Sequence, residues 1–263
     1  MIIDVIDAHL WYDVAGPSDA PAIIFLHGFP HDHRLWEAQR DALARRYRVI
    51  TTDLRGFGAS STNGPYSMDR YADDVAAVLS AATVDRATVC GLSMGGYIAF
   101  ALWRRHAERV AGLVFVDTKA TADDDAIRSR RRELIELART ESADAVANTQ
   151  IIGAVGAQTR RQRPELVEQL HAMMAEAPVD GIVGALTAML ERPDSTATLG
   201  TITVPTLVIG GDEDVITPLK TTRALSEALP GSTFRVITGA GHLSNVEQPT
   251  QFNDAIVRFL ETI

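Results

Sequence analysis

Cysteine is nearly absent from this chain of 263 residues, because Cys90 is the only one and no disulfide can form within the chain. A lone cysteine is typical of a protein kept in a reducing compartment. Cys90 ends a short apolar run, so we expect a buried thiol that is packed like a small hydrophobic residue rather than a reactive one.

Long hydrophobic runs are also lacking, and no apolar stretch approaches the roughly 20 residues that a membrane-spanning helix needs. The first seven residues, MIIDVID, carry no basic segment of the kind that opens a secretory signal peptide. We therefore expect a cytoplasmic protein with no membrane partner.

Positive charge is in deficit, with 25 lysines and arginines against 34 aspartates and glutamates and a formal net charge of -9. This balance argues against general affinity for nucleic acids or anionic membranes. Two arginine-rich segments, residues 128–132 and 160–163, are predicted to be solvated helix faces rather than an anion site.

Short apolar runs alternate with longer amphipathic segments, which is the pattern of a parallel sheet with crossover helices. The first fourteen residues are predicted to add an antiparallel pair of strands at the edge. The remaining predicted strands span residues 22–26, 48–52, 87–90, 110–116, 206–209 and 234–237, and the predicted helices span about 35–45, 69–80, 93–105 and 253–260.

Between residues 119 and 199 the alternation stops and only helical periodicity remains. We therefore predict a core domain formed by residues 1–118 and 200–263, interrupted by a helical cap at residues 119–199. Pro164, Pro178 and Pro193 fall where helices of this cap would begin or end.

Residues 91–95, Gly-Leu-Ser-Met-Gly, form a G-x-S-x-G motif between a predicted strand and a predicted helix. A sharp turn there would strain the backbone at Ser93, and the two glycines remove the Cβ atoms that would clash. The helix then aims its first N–H groups at any oxyanion beside Ser93. We predict Ser93 as a nucleophile and the Met94 N–H as an oxyanion donor, the alternative being a serine that only caps the helix.

A serine nucleophile needs an imidazole base, which a carboxylate must orient. Among the seven histidines, His242 follows the last predicted strand, where such a base belongs. Asp212, Glu213 and Asp214 compete as the acid, Asp117 at the end of the preceding strand is a fourth candidate, and spacing alone does not choose among them.

The run His27-Gly28-Phe29-Pro30 follows the first buried strand, and we predict the Phe29 N–H as the second oxyanion donor. Residues 31–33, His-Asp-His, could suggest a metal site, but no matching second cluster appears. The glycine-rich turn at residues 53–58 is predicted to be a structural loop. We expect neither a metal nor an organic cofactor.

Together these motifs resemble the α/β-hydrolase superfamily across essentially the whole chain. The superfamily pattern G-x-x-D-x-x-x-P falls on Gly211, Asp214 and Pro218, and this resemblance implies Asp214 as the acid. It also implies an α/β-hydrolase fold, with a mostly parallel eight-stranded sheet, helices on both faces and an inserted helical cap. Residues 91–96 and 239–245 are most similar to the 3-oxoadipate enol-lactonases and small bacterial carboxylesterases.

The resemblance implies a serine hydrolase that cleaves an ester or lactone of a small molecule through an acyl-enzyme. Cofactor-free haloperoxidases, perhydrolases and C–C bond hydrolases share the same triad and remain alternatives. Serine rather than aspartate at position 93 argues against haloalkane dehalogenase or epoxide hydrolase chemistry. A ligand receptor on a hydrolase scaffold is an alternative of another class. The natural substrate and the oligomeric state, a homo-oligomer included, stay open.

Overall fold

A computed structural model describes residues 1–263, and eight of its strands form one sheet in the order β1-β2-β4-β3-β5-β6-β7-β8. The strands are β1 (Ile2–Val5), β2 (Ala8–Ala15), β3 (Ala22–Leu26), β4 (Arg48–Thr52), β5 (Ala87–Leu92), β6 (Val110–Val116), β7 (Thr206–Gly211) and β8 (Thr233–Ile237). Strands β1 and β2 pair antiparallel, β2 joins β4 antiparallel, and all other pairs are parallel. The predicted fold class and the antiparallel edge pair are confirmed.

The central strands are buried on both faces, as continuous apolar runs predict for a covered parallel sheet. Successive side chains of β3 alternate between two hydrophobic clusters, so that Ile24 and Leu26 face one layer of helices while Ile23 and Phe25 face the other. The sheet therefore forms the middle layer of the core, with its loops free to build a site at the strand ends.

Six helices form the two outer layers, of which four lie close to the predicted positions, while those at 219–228 and 244–247 were not predicted. They are α1 (Glu37–Leu43), α2 (Met68–Ala81), α3 (Met94–His106), α10 (Leu219–Ala228), α11 (Ser244–Glu247) and α12 (Pro249–Leu260). The predicted helix at 35–45 starts instead with a 3₁₀ turn at His33–Trp36, because the Asp32 side chain accepts the Arg34 N–H and tightens the entry. Helix α12 starts four residues earlier than predicted, with Pro249 at its first position.

Six helices occupy the chain between β6 and β7. They are α4 (Asp125–Thr140), α5 (Ala143–Ala154), α6 (Ala157–Gln162), α7 (Pro164–Ala175), α8 (Val179–Glu191) and α9 (Thr196–Leu199). The three prolines lie at the start of α7, immediately before α8 and shortly after α8, as predicted. No single helix of the chain has the length and hydropathy of a membrane span. Only α7 and α8 taken together have that length and hydropathy, and the pair is bent by 91° at its junction.

Candidate active site

The carboxyl ends of the parallel strands meet at one edge of the sheet, and the candidate site residues follow these ends. Ser93 follows β5, Asp117 follows β6, Asp214 lies in the loop after β7, and His242 lies in the loop after β8. The backbone ladder continues into this edge, since the Ser93 N–H donates to Val116 O and the Asp117 N–H donates to Ile209 O, each at 2.9 Å.

Ser93 occupies a strained turn between β5 and α3, with a φ of +53° in the left-handed region. A Cβ on Gly91 would lie 2.3 Å from Gly95 O, and one on Gly95 would lie 2.3 Å from Leu26 O. Both glycines are therefore required by the close approach of the backbone. The Ser93 side chain makes no capping hydrogen bond to α3, which argues against the reading of Ser93 as a helix cap only.

His242 pairs with Asp214 among the competing carboxylates, and its Nδ1 lies 2.8 Å from Asp214 Oδ2. The other carboxylate oxygen, Oδ1, accepts the N–H groups of Ile216 and Thr217 at 2.8 and 2.9 Å. These bonds fix the carboxylate through its own loop, so it can hold the imidazole in one orientation.

The two neighbouring carboxylates of the same loop have structural partners instead. Asp212 accepts the Gly239 N–H at 2.7 Å, and Glu213 accepts the Gln158 N–H at 2.9 Å. The arrangement of hydrogen bonds thus separates three residues that spacing alone left equivalent.

Burial lowers the pKa of His242, but the charge of Asp214 and its hydrogen bond outweigh burial and place the pKa above its ordinary value of 6.5. No hydrogen bond joins the Ser93 hydroxyl to His242 in the structure. Catalytic hydrogen bonds of this kind are often loose in a ligand-free enzyme and tighten when substrate binds.

Asp117, the fourth candidate acid, lies beside this pair without bonding the imidazole. It accepts the Gly211 N–H at 2.7 Å and the Ser244 hydroxyl at 2.5 Å. Burial, reinforced by the charge of Asp214, raises the pKa of Asp117 well above its ordinary value. Its role at the site is therefore that of a hydrogen-bonded buried group between the loops after β6, β7 and β8.

The loop after β3 passes against the turn that holds Ser93. A Cβ on Gly28 would lie 2.6 Å from a methyl carbon of Leu92 and 3.5 Å from the Ser93 Cβ, so a larger residue there would have to displace the buried Leu92 side chain. The Phe29 N–H that follows donates no hydrogen bond within the chain. Met94 opens α3, and the first N–H groups of a helix have no intrahelical acceptor. The two predicted oxyanion donors thus flank Ser93.

The possible metal ligands cluster differently from the predicted run, since Asp32, His33 and Asp53 bring their ligand atoms within 4.8 Å of one another while His31 lies outside the group. Asp32 accepts hydrogen bonds from the Arg34 guanidinium. Asp53 is hydrogen-bonded to the backbone N–H and to the ring Nδ1 of His33. These hydrogen bonds use the oxygen atoms that a metal would require. The turn at residues 53–58 is likewise structural, because Asp53 also accepts the Ala59 N–H at 2.8 Å.

The family model for the alpha/beta hydrolase fold matches residues 21–249. The chain belongs to the α/β-hydrolase family. Among its relatives, 3-oxoadipate enol-lactonase 2 of Acinetobacter baylyi is 33% identical over 251 residues, which cover 95% of this chain and 92% of that protein. The resemblance to the enol-lactonases is thereby confirmed.

Solved structures of other α/β-hydrolases agree with this grouping. A thermophilic esterase from Thermogutta terrifontis, solved with malate bound, is 36% identical with a TM-score of 0.95 and covers 100% of this chain and 98% of its own. The enol-lactonase from Burkholderia xenovorans is 28% identical with a TM-score of 0.90, and 97% of each chain is covered. Relatives with these names are consistent with an ester-acting hydrolase.

One buried residue of this α/β-hydrolase, Glu247, escaped the sequence analysis, and His31 was considered there only as part of a possible metal site. Glu247 accepts the N–H groups of Gly241 at 2.9 Å and Gly156 at 2.7 Å and the Thr159 hydroxyl at 2.6 Å, so it joins the His242 loop to the helices after β6. His31 is buried with neither ring nitrogen hydrogen-bonded, and burial lowers its pKa to about 3. Glu247 lies in no recognisable motif, so only its distant contacts reveal it.

Proposed function

We propose that this protein is a serine hydrolase that cleaves a carboxylic ester or lactone of a small molecule, with Ser93, His242 and Asp214 as its catalytic triad. The observation that carries the proposal is the buried His242–Asp214 hydrogen bond of 2.8 Å at the sheet edge where Ser93 is held in a strained turn. Only a neutral imidazole whose Nδ1–H points at a carboxylate leaves its Nε2 free to accept a proton from a serine hydroxyl.

In the first step, Ser93 Oγ attacks the substrate carbonyl while His242 takes the hydroxyl proton. The oxyanion accepts hydrogen bonds from the Phe29 and Met94 N–H groups. The intermediate then collapses, the bond to the leaving oxygen breaks, and His242 returns the proton to that oxygen. Water, activated by His242 in the same way, hydrolyses the acyl-enzyme and restores Ser93. Apart from the substrate and water, each step uses only side chains and backbone N–H groups of this chain.

The enol-lactonase relatives make a 3-oxoadipate enol-lactonase or a related carboxylesterase the proposed activity. We propose that residues 119–199 form the cap over the site, carried by a core of residues 1–118 and 200–263. We also propose that the only partner is a small-molecule substrate, that the reaction needs no cofactor and that the protein is cytoplasmic.

A perhydrolase or haloperoxidase is the second candidate, because a bromoperoxidase from Bacillus anthracis is 26% identical with a TM-score of 0.85 over 97% of this chain. The same triad would serve that reaction, with hydrogen peroxide taking the place of water in the second step. Peroxide-dependent turnover that exceeds hydrolysis would favour this candidate.

The test is the kcat/KM of the purified protein for 3-oxoadipate enol-lactone and for p-nitrophenyl butyrate, with Ser93→Ala as the blank. A lactone value in the range of about 10⁴ to 10⁸ M⁻¹s⁻¹ that far exceeds the ester value supports the lactonase. Turnover of the simple ester alone makes the protein a carboxylesterase with another natural substrate. Wild-type turnover by Ser93→Ala would overturn the assignment of the nucleophile, and no turnover by either protein would favour a receptor.

A further inference from the structure

A cavity of about 320 Å³ lies between the carboxyl edge of the sheet and helices α4 and α5. Its core side includes Tyr97, which lies one helical turn beyond Ser93, and Thr217, whose N–H donates to Asp214. Ser93 and His242 themselves do not line the cavity, but Tyr97 and Thr217 place its core side next to the proposed catalytic residues.

The wall of this cavity carries more positive than negative charge. Lys119 Nζ, Arg131 Nε and an Arg192 terminal nitrogen surround the Asp123 carboxylate at 3.1, 2.6 and 2.9 Å. The Asp123 side chain is completely buried, so three cations share one anion. The Arg192 side chain is buried beside Asp123, and its guanidinium lies 4.1 Å from the centre of the Tyr97 ring.

Lys119 and Arg131 keep unused hydrogen-bond donors on the cavity side. Asp123 is the only polar partner of the Lys119 ammonium, which has three N–H groups. Arg131 uses Nε for Asp123 and Nη1 for the Met189 sulfur, so Nη2 has no partner in the chain. Both side chains are only 15% exposed. Unpaired N–H groups of this kind are ordinarily hydrogen-bonded to water, which has little access to these two side chains.

These contacts differ from the prediction of a solvated face for residues 128–132. That prediction holds for Arg130, whose side chain is 53% exposed and 3.4 Å from Glu133, but is wrong for Arg131. Asp123 lies outside the arginine-rich segment, and its position beneath Arg131 depends on how the chain after β6 enters α4.

We infer that this cavity binds a carboxylate of the substrate through Lys119 and Arg131, so that the enzyme prefers esters or lactones bearing a free carboxylate near the scissile carbonyl. The inference rests on the proposed function for its catalytic part and on the cavity alone for its binding part. Guanidinium and ammonium donors that converge on one space are the groups that proteins use to hold carboxylates. With Arg192 behind Asp123, the cluster keeps an excess of two positive charges for the ligand.

The catalytic test compares monoethyl glutarate with ethyl glutaramate, which has the same shape and a neutral carboxamide, by acid release in a pH-stat. We expect wild-type kcat/KM to be at least about 10-fold higher for the carboxylate, the gain typical of a hydrogen bond to a charged group. Lys119→Met should remove that preference and change the amide rate less than about 2-fold. A third substrate, 3-acetoxypropanoate, carries its carboxylate on the alcohol part of the ester, whereas monoethyl glutarate carries it on the acyl part. Comparison of the two rates shows on which side of the scissile bond the carboxylate is bound.

Two variants serve as controls. Lys119→Arg keeps the charge and should retain most of the preference. Arg161→Met removes the same charge from an exposed position of α6 and should leave both rates unchanged. Equal losses for the two esters in Lys119→Met, or equal wild-type rates, would overturn the inference about substrate preference.

Binding measured without catalysis separates this inference from the proposed function. Calorimetry with glutarate should give a Kd at least about 10-fold lower for the wild type than for Lys119→Met. If neither ester is hydrolysed but this difference appears, the anion site stands and the hydrolase proposal fails. If esters are hydrolysed and glutarate binds both proteins equally, or inorganic phosphate binds the wild type more tightly than glutarate does, the carboxylate site is refuted.

Discussion

The loop after β6 and the loop after β7 each hold a buried aspartate at the same edge of the sheet, and the two residues have different surroundings. Asp214 receives two N–H groups from its own loop and pairs with His242. Asp117 receives one N–H group and the hydroxyl of Ser244, and no cation contacts it. The partners of each carboxylate, rather than its place at a strand end, decide which one can orient the imidazole.

The largest expected effect comes from Asp214→Asn. An amide at this position can present an N–H to the imidazole and favour the wrong tautomer, so kcat for p-nitrophenyl butyrate should fall about 10⁴-fold. The midpoint of thermal unfolding reports whether the fold survives. A loss of less than about 10-fold would mean that Asp117 or another acid orients His242.

Glu247→Gln should have a smaller effect on rate and a clear effect on stability. The carboxylate accepts at least one N–H or hydroxyl on each oxygen, and an amide nitrogen cannot accept them. Each buried donor left unpaired costs about 1–3 kcal/mol, so the free energy of unfolding in urea should fall by that amount or more. Glu168→Gln, at an exposed position of α7 where the side chain makes no hydrogen bond, is the matched control and should leave stability within about 0.5 kcal/mol. Unchanged unfolding of Glu247→Gln would show that the loop is held by other contacts.

The pH dependence of the reaction tests the other half of the Asp214–His242 pair. Because the pKa of His242 is raised, the imidazole becomes protonated, and useless as a base, at a pH above 6.5. The kcat/KM for p-nitrophenyl butyrate should therefore fall on the acid side with an apparent pKa greater than 6.5. An acid limb centred well below 6.5 would contradict the influence of Asp214.

Asp117→Asn is expected to have the smallest effect, with kcat lowered less than about 10-fold, because Asp117 makes no bond to His242. The informative measurement is stability against pH. The pKa of Asp117 is raised in the folded state, so the folded protein binds the extra proton and loses stability as the pH rises from about 4.

Asp117→Asn removes this titration. Relative to the wild type, the free energy of unfolding of the variant should therefore be larger at pH 8 than at pH 5. Urea unfolding of both proteins at the two pH values gives the comparison. A difference that does not change with pH would show that Asp117 titrates alike in the folded and unfolded chain.

The sequence alone was sufficient for features built from neighbouring residues. The turn at Ser93 could be predicted because strand, glycines and helix are consecutive, and the close approach at Gly91 is to Gly95 only four residues later. The positions of the strands along the chain and the helical segment between β6 and β7 followed from the pattern of apolar residues, which reports local geometry directly. Helix boundaries were less certain, as the 3₁₀ turn at His33–Trp36 shows.

The family resemblance implied the pairing of Asp214 with His242, but local patterns did not, and the tertiary structure decided which other polar groups meet. Asp214 and His242 are 28 residues apart, and Asp117 and Ser244 are 127 apart, so their hydrogen bonds depend on how the loops after separate strands pack. The same holds for the buried cluster around Asp123, where α4 and the chain after α8 bring arginines onto one carboxylate. Periodicity determines which face of an element is buried, whereas the pairing of buried charges is set by three-dimensional contacts that no local pattern encodes.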